Sequence, residues 1–104
     1  MLTIKIKDSS THLVLSLIGE IDLSTAGELE ETVNAISHKA EHITVDFTQV
    51  SFIDSTGIGA VISLILSSMD APFELEFKGE SPMVRELFEM VGVYKVLSVA
   101  QKEG

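Results

Sequence analysis

The sequence predicts an α/β fold, a single domain over residues 1–104. Its mixed sheet has four to five strands, with helices packed mainly on one side. Three observations lead there. Stretches with period-two apolar alternation take turns with stretches of helical spacing, in the order β-β-α-β-α-β-α. Such interleaving calls for parallel strands joined by right-handed crossovers, while the first two strands lie close enough to form a hairpin. Finally, 104 residues suffice for one core, and no repeat, linker or low-complexity stretch divides them.

In chain order, Leu2-Thr3-Ile4-Lys5-Ile6-Lys7 alternates as a half-buried strand, and Asp8-Ser9-Ser10-Thr11 supplies turn chemistry. His12 to Gly19 places Leu13, Leu15 and Leu17 on one face and Val14 and Ile18 on the other. Thr25-Ala26-Gly27-Glu28 has the spacing of a capping box, followed by an apolar stripe of Ala26, Leu29, Val33 and Ile36. Ile43, Val45 and Phe47 form a third strand, and Val50, Phe52 and Ile53 are expected to continue buried towards Asp54. Ile58 to Met69 is apolar nearly all round, which calls for a helix covered on most sides. Phe73, Leu75 and Phe77 alternate with Glu74 and Glu76 in a fourth strand. Ser81-Pro82 starts a helix with stripe Val84, Leu87, Phe88 and Val91, and Gly92 suits its C′ position. The short apolar piece Val96 to Val99 is the candidate fifth strand.

Composition excludes several functions. Without cysteine there are no disulfides, thiolate metal sites or thiol nucleophiles, which suits a reducing cytoplasm. Met1 to Lys5 alternates, unlike a secretory signal, and no apolar run approaches the ~20 residues of a membrane span. The net charge of −9, from 16 acidic and 7 basic side chains, repels phosphates and anionic lipid. Neither direct nucleic-acid contact nor a membrane is therefore expected; the acidity fits a basic protein surface as partner, or equally serves only to keep a small protein soluble.

The chemistry-bearing candidate is Asp54-Ser55-Thr56-Gly57, where a buried strand passes into a buried helix. Such a helix start offers unpaired amide hydrogens and about half a positive charge, able to hold a phosphate that is free or covalently attached. Ordinary capping explains the same residues. Glycines two residues either side of the serine would make a nucleophile elbow, but Ile53 occupies the upstream place. Gly57-Ile58-Gly59 lacks the third glycine or lysine of a phosphate loop. His38 and His42 are four apart, yet nothing completes a metal site, and with His12 they read as exposed polar side chains. Asp22 ends a strand parallel to the one leading to Asp54, so Asp22, Asp54 and Ser55 can form one acidic patch around a hydroxyl, while capping and turn formation explain Asp22 as well. No cofactor, metal or catalytic constellation is indicated.

Gly19-Glu20-Ile21-Asp22, Thr25-Ala26, Phe52 through Gly59, and Ser81-Pro82 with Leu87-Phe88 together resemble the bacterial anti-sigma factor antagonists of the STAS domain family. The similarity runs over nearly the whole chain, and Asp-Ser-Thr-Gly-Ile-Gly is its most specific piece. The resemblance implies a non-enzymatic, cytoplasmic phosphoprotein of partner switching in transcription control, serving stress response or sporulation. Ser55 would be phosphorylated by an anti-sigma factor serine kinase that the unmodified chain binds, freeing the sigma factor. A phosphatase acting on phospho-Ser55 would reset it. Asp22, Asp54, Thr56 and Gly57 would belong to the partner-binding surface. The chain departs from the family at Ser67–Pro72, which lacks the usual basic residues and glycine pair. The alternative is a constitutive STAS interaction module of a scaffold or transporter-associated complex.

Overall fold

The computed structural model describes residues 1–36, 40–70 and 73–103. Strands β1 (Leu2–Ser9), β2 (His12–Ile21), β3 (His42–Ile53) and β4 (Glu74–Lys78) form one mixed sheet in the order β1-β2-β3-β4. The two-residue turn Ser10-Thr11, with Ser10 at φ 62°, folds β1 antiparallel onto β2. The pairs β2–β3 and β3–β4 are parallel. Helices α1 (Ala26–Ile36), α2 (Ser55–Asp70) and α3 (Pro82–Val91) follow the strands as the alternation predicts.

The expected terminal strand is not formed. Val96 to Val99 lie inside a fourth helix, α4 (Val93–Glu103), which buries Val93 and Ala100 at helical spacing. A stretch of four residues, three of them apolar, does not distinguish the two periods. Helix α3 starts and stops where expected: the Ser81 hydroxyl accepts from Val84 N–H at 3.2 Å, and Gly92 closes the helix at φ 77°. Its stripe is narrower than the pattern suggested, because Val91 is half exposed.

One core lies on one face of the sheet. Leu13, Leu15 and Leu17 of β2, Ile43, Val45 and Phe47 of β3 and Leu75 of β4 are buried there beneath the helices. α2 packs between α1 and α4. Phe47 meets Phe77 and Phe88 edge-on, at ring-centroid distances of 5.2 and 5.4 Å, and Tyr94 adds a third contact to Phe88 at 5.8 Å. Each such pair contributes about 0.5–1.5 kcal/mol beyond its buried area and ties α3 and α4 to the sheet. Thr3, Lys5 and Lys7 lie on the opposite, open face.

β3 is longer than its partners and carries two irregularities against β2, one between Asp46 and Gln49 and one between Val50 and Phe52. The first is locked by Asp46, whose Oδ1 accepts from Thr48 N–H at 2.9 Å and from the Thr48 hydroxyl at 2.5 Å. These bonds hold the Asp46 carboxyl below the usual aspartate range. Gly79, at φ 75°, packs on this turn where a Cβ would collide with Thr48 Oγ1. Each extra residue turns the following side chains to the other face of the sheet. Val50 and Ile53 therefore point into the core, and Phe52, expected to be buried, is 46% exposed.

Candidate functional site

The parallel strands β2 and β3 end side by side, with Ile21 opposite Ile53, and Asp54 N–H donates to the Ile21 carbonyl at 3.2 Å. The chain then turns at once into α2. Gly57 lets the first turn of that helix lie directly on the end of β2, because a Cβ would strike the Ile21 carbonyl and the Ile53 side chain. Gly57 is thus buried. Its part is to bring the β2–α1 turn beside the β3–α2 junction. Gly59 has open space around it and plays no such role.

Capping and the candidate modification site fall on different residues. The Asp54 carboxylate caps α2 by accepting Gly57 N–H at 2.9 Å, and its carbonyl accepts Ile58 N–H at 2.9 Å. Ser55 is the first helical residue. Its side chain is exposed, and its hydroxyl makes no hydrogen bond among the described residues. Thr56, next along the helix, is exposed as well. An unengaged hydroxyl thus stands at the positive end of a 16-residue helix with a carboxylate beside it.

The β2–α1 turn is fixed from within. Asp22 Oδ1 accepts from Ser24 N–H at 3.0 Å and from the Ser24 hydroxyl at 2.7 Å. The hydrogen bond from the Ser24 hydroxyl is the main cause that lowers the Asp22 pKa. The Asp22 carbonyl accepts from Thr25 and Ala26 N–H at 3.1 and 2.8 Å. The capping box expected at Thr25 does not form: the Thr25 hydroxyl donates to the Glu20 carbonyl at 2.8 Å and accepts Asp22 N–H at 2.9 Å. A buried Thr25 bracing the turn replaces an exposed cap.

Asp22, Leu23, Ser24, Phe52 and Asp54 line one shallow, open depression at this end of the sheet; Ser55 follows Asp54 in the chain and is not one of the lining residues. Leu23 (78% exposed) and Phe52 were not singled out as site residues from sequence. Leu23 sits in a turn with no periodicity to read, and Phe52 is displaced by the bulges.

The histidines stand elsewhere. His12 and His42 are exposed neighbours at the start of the sheet, 5.6 Å between ring centroids. His12 Nε2 is 2.8 Å from the Thr44 hydroxyl and His42 Nδ1 is 3.2 Å from Glu74. His38 lies outside the described residues. Among those residues no group of three or more histidines and carboxylates is arranged to hold a metal, and no helix is long and apolar enough to cross a membrane.

Comparison with known proteins gives a consistent picture. The STAS domain model matches residues 3–104. The anti-sigma-B factor antagonist of Listeria monocytogenes is 31% identical over 105 residues, covering 99% of this chain and 92% of the relative. An anti-sigma factor antagonist from Mycobacterium paratuberculosis superposes with TM-score 0.76 at 24% identity, covering 91% of this chain and 81% of that one. The Bacillus cell fate determinant SpoIIAA, solved in its phosphorylated form, superposes with TM-score 0.73 at 20% identity, covering 89% and 86%. Both structural likenesses bear on the fold.

Proposed function

The chain belongs to the STAS domain family, and on that premise we propose that it is a phosphorylation-controlled anti-sigma factor antagonist. The unmodified chain binds an anti-sigma factor that is also a serine kinase and so releases a sigma factor. Phosphorylation of Ser55 ends the binding, and a phosphatase acting on phospho-Ser55 restores it. In this reading the chain is a cytoplasmic binding module, and nucleotide and metal chemistry belong to the kinase. The 31% identity to an anti-sigma-B factor antagonist over almost the full length supports the antagonist role.

The observation that carries the switch is the division of labour between Asp54 and Ser55. Asp54 satisfies the helix start, so the Ser55 hydroxyl is exposed, makes no hydrogen bond among the described residues and can be modified without dismantling a cap. A phosphate there adds roughly −1.5 to −2 charge. The helix N-terminus offsets about 0.3–1 kcal/mol of its cost, so the free protein keeps its fold. A partner that covers a neutral hydroxyl must instead desolvate the added charge next to Asp54, without a matching cation. Asp22, Asp54 and Thr56 form the accessible polar part of the contact surface, and Gly57 positions it.

Incubation with each anti-sigma kinase of the source genome and ATP, followed by phosphopeptide mapping, tests the assignment. One phosphate on Ser55 and hardly any on Thr56 is expected. A major site elsewhere removes the basis of the switch, and a partner held equally well by modified and unmodified chain favours the constitutive module.

A further inference from the structure

Single exposed apolar side chains are ordinary on protein surfaces. Leu23 and Phe52 differ in three respects. They line the same depression, although they lie 29 positions apart in sequence, one on the β2–α1 turn and the other near the end of β3. Leu23 is held out into solvent by a turn whose flanking residues are hydrogen-bonded on both sides: Asp22 to Ser24, Thr25 and Ala26, and Thr25 to Glu20. A leucine at 78% exposure in a fixed turn has its backbone ordered before any contact is made, so little entropy remains to be lost on binding. Carboxylates adjoin both side chains: Asp22 and Asp54 line the depression, while Glu20, opposite Phe52 in the strand register, is paired with the N-terminal ammonium at 2.8 Å. Among the described residues no lysine or arginine lines it.

The other exposed apolar side chains lack this combination. Met1 precedes β1 and Ile6 lies within it, Met83, Met90 and Val91 lie along α3, and Leu66, Met69 and Val99 line a groove between α2 and α4 beside Lys95.

We propose that Leu23 and Phe52 are the apolar anchors by which the unmodified chain grips its anti-sigma partner, and that the partner presents a small apolar patch rimmed by basic side chains. The occupant is a protein surface, because the depression is shallow and open and pairs two exposed apolar side chains with the carboxylates of Asp22 and Asp54. Anchors of this kind supply most of the affinity, whereas rim charges set orientation and encounter rate. Their place beside Ser55 lets one modification act on the whole contact: the phosphate stands next to the anchors and prevents their close approach. The inference rests on the proposed antagonist role and adds to it which side chains recognise the partner.

The test uses the full chain and, as probe, the anti-sigma kinase found to phosphorylate Ser55. Leu23→Ala and Phe52→Ala are titrated calorimetrically against it, with Leu66→Ala as an exposed apolar control and Ser55-phosphorylated parent as reference. Circular dichroism and thermal melts check the fold. Leu23→Ala is expected to weaken binding at least tenfold with an unchanged melt. Phe52→Ala should do the same, and Leu66→Ala should bind as the parent. Should Phe52→Ala fold poorly, Leu23→Ala decides alone, since its side chain is nearly free in solvent. Parent-like affinity for Leu23→Ala overturns the anchor assignment, and if the phosphorylated chain still fails to bind, the switch itself survives. Equal loss in Leu66→Ala also overturns it. If no kinase modifies Ser55, or phosphorylation leaves affinity unchanged, the antagonist reading fails and this inference with it.

Discussion

Two glycines two residues apart illustrate how sharply single positions differ at the start of α2. Gly57 lies against the Ile21 carbonyl, with no room for a Cβ, whereas Gly59 has nothing within 4 Å. Gly57→Ala should therefore destabilise by about 1–3 kcal/mol, towards the upper end because the obstacle is backbone and not a side chain that can turn away. Gly59→Ala should be neutral or stabilise by up to about 1 kcal/mol, through its better helix propensity. Urea denaturation of both variants reads the difference directly, and similar midpoints would refute the close packing. A Gly-x-Gly inside a helix does not say from sequence which of its glycines is packed closely. The answer depends on where the end of β2 falls, a long-range fact. Likewise Asp54-Ser55 showed both a cap and a candidate hydroxyl, and only the geometry gave the cap to Asp54 and left the Ser55 hydroxyl exposed.

At the scale of elements, the strands were legible because period-two alternation survives wherever one face is buried, as in β2 with Leu13, Leu15 and Leu17. Legibility failed where the pattern was short or interrupted. Val96 to Val99 is too short to tell strand from helix. The signal that decides it, Val93 with Ala100 seven positions on, extends beyond that run. The two bulges of β3 shift its phase at Thr48 and again at Ser51, which no local propensity announces.

The attachment of α4 rests partly on Tyr94, whose hydroxyl donates to Glu80 Oε2 at 2.8 Å, while Arg85 Nη2 stands 4.0 Å from the other oxygen. The Glu80 side chain is only 4% exposed. Tyr94→Phe should cost about 1–3 kcal/mol, because a buried carboxylate loses its donor, and should leave Ser55 phosphorylation unchanged. Burial first and the Glu80 contact second push the Tyr94 pKa well above its usual value of 10.0. The raised value means that this contribution is intact below the ordinary tyrosine pKa and is lost as pH rises towards the folded-state one. Tyr94 is the only tyrosine in the chain, so phenolate absorbance reports on it alone. That absorbance should appear only at pH values above those of a free tyrosine, or on unfolding. Titration at the ordinary value in the folded chain would contradict the buried contact.

For the molecule as a whole, the fold gathers several elements at one end of its sheet. Parallel β2 and β3 deliver Asp22 and Asp54 together, Gly57 lets α2 start directly above them, and the Ser55 hydroxyl is left exposed at that junction. The net charge of −9 gives the surface a sign that favours a basic partner and worsens with each phosphate added. The central claim is that phosphate acts locally, on an interface, without refolding the chain. Calorimetric titration of the anti-sigma kinase with unmodified and with Ser55-phosphorylated chain, each checked by circular dichroism, tests it most directly. The account predicts at least about a hundredfold weaker binding for the phosphorylated form, equivalent to roughly 2.8 kcal/mol, with superimposable spectra. Equal affinities, or a spectrum that collapses on phosphorylation, would contradict it.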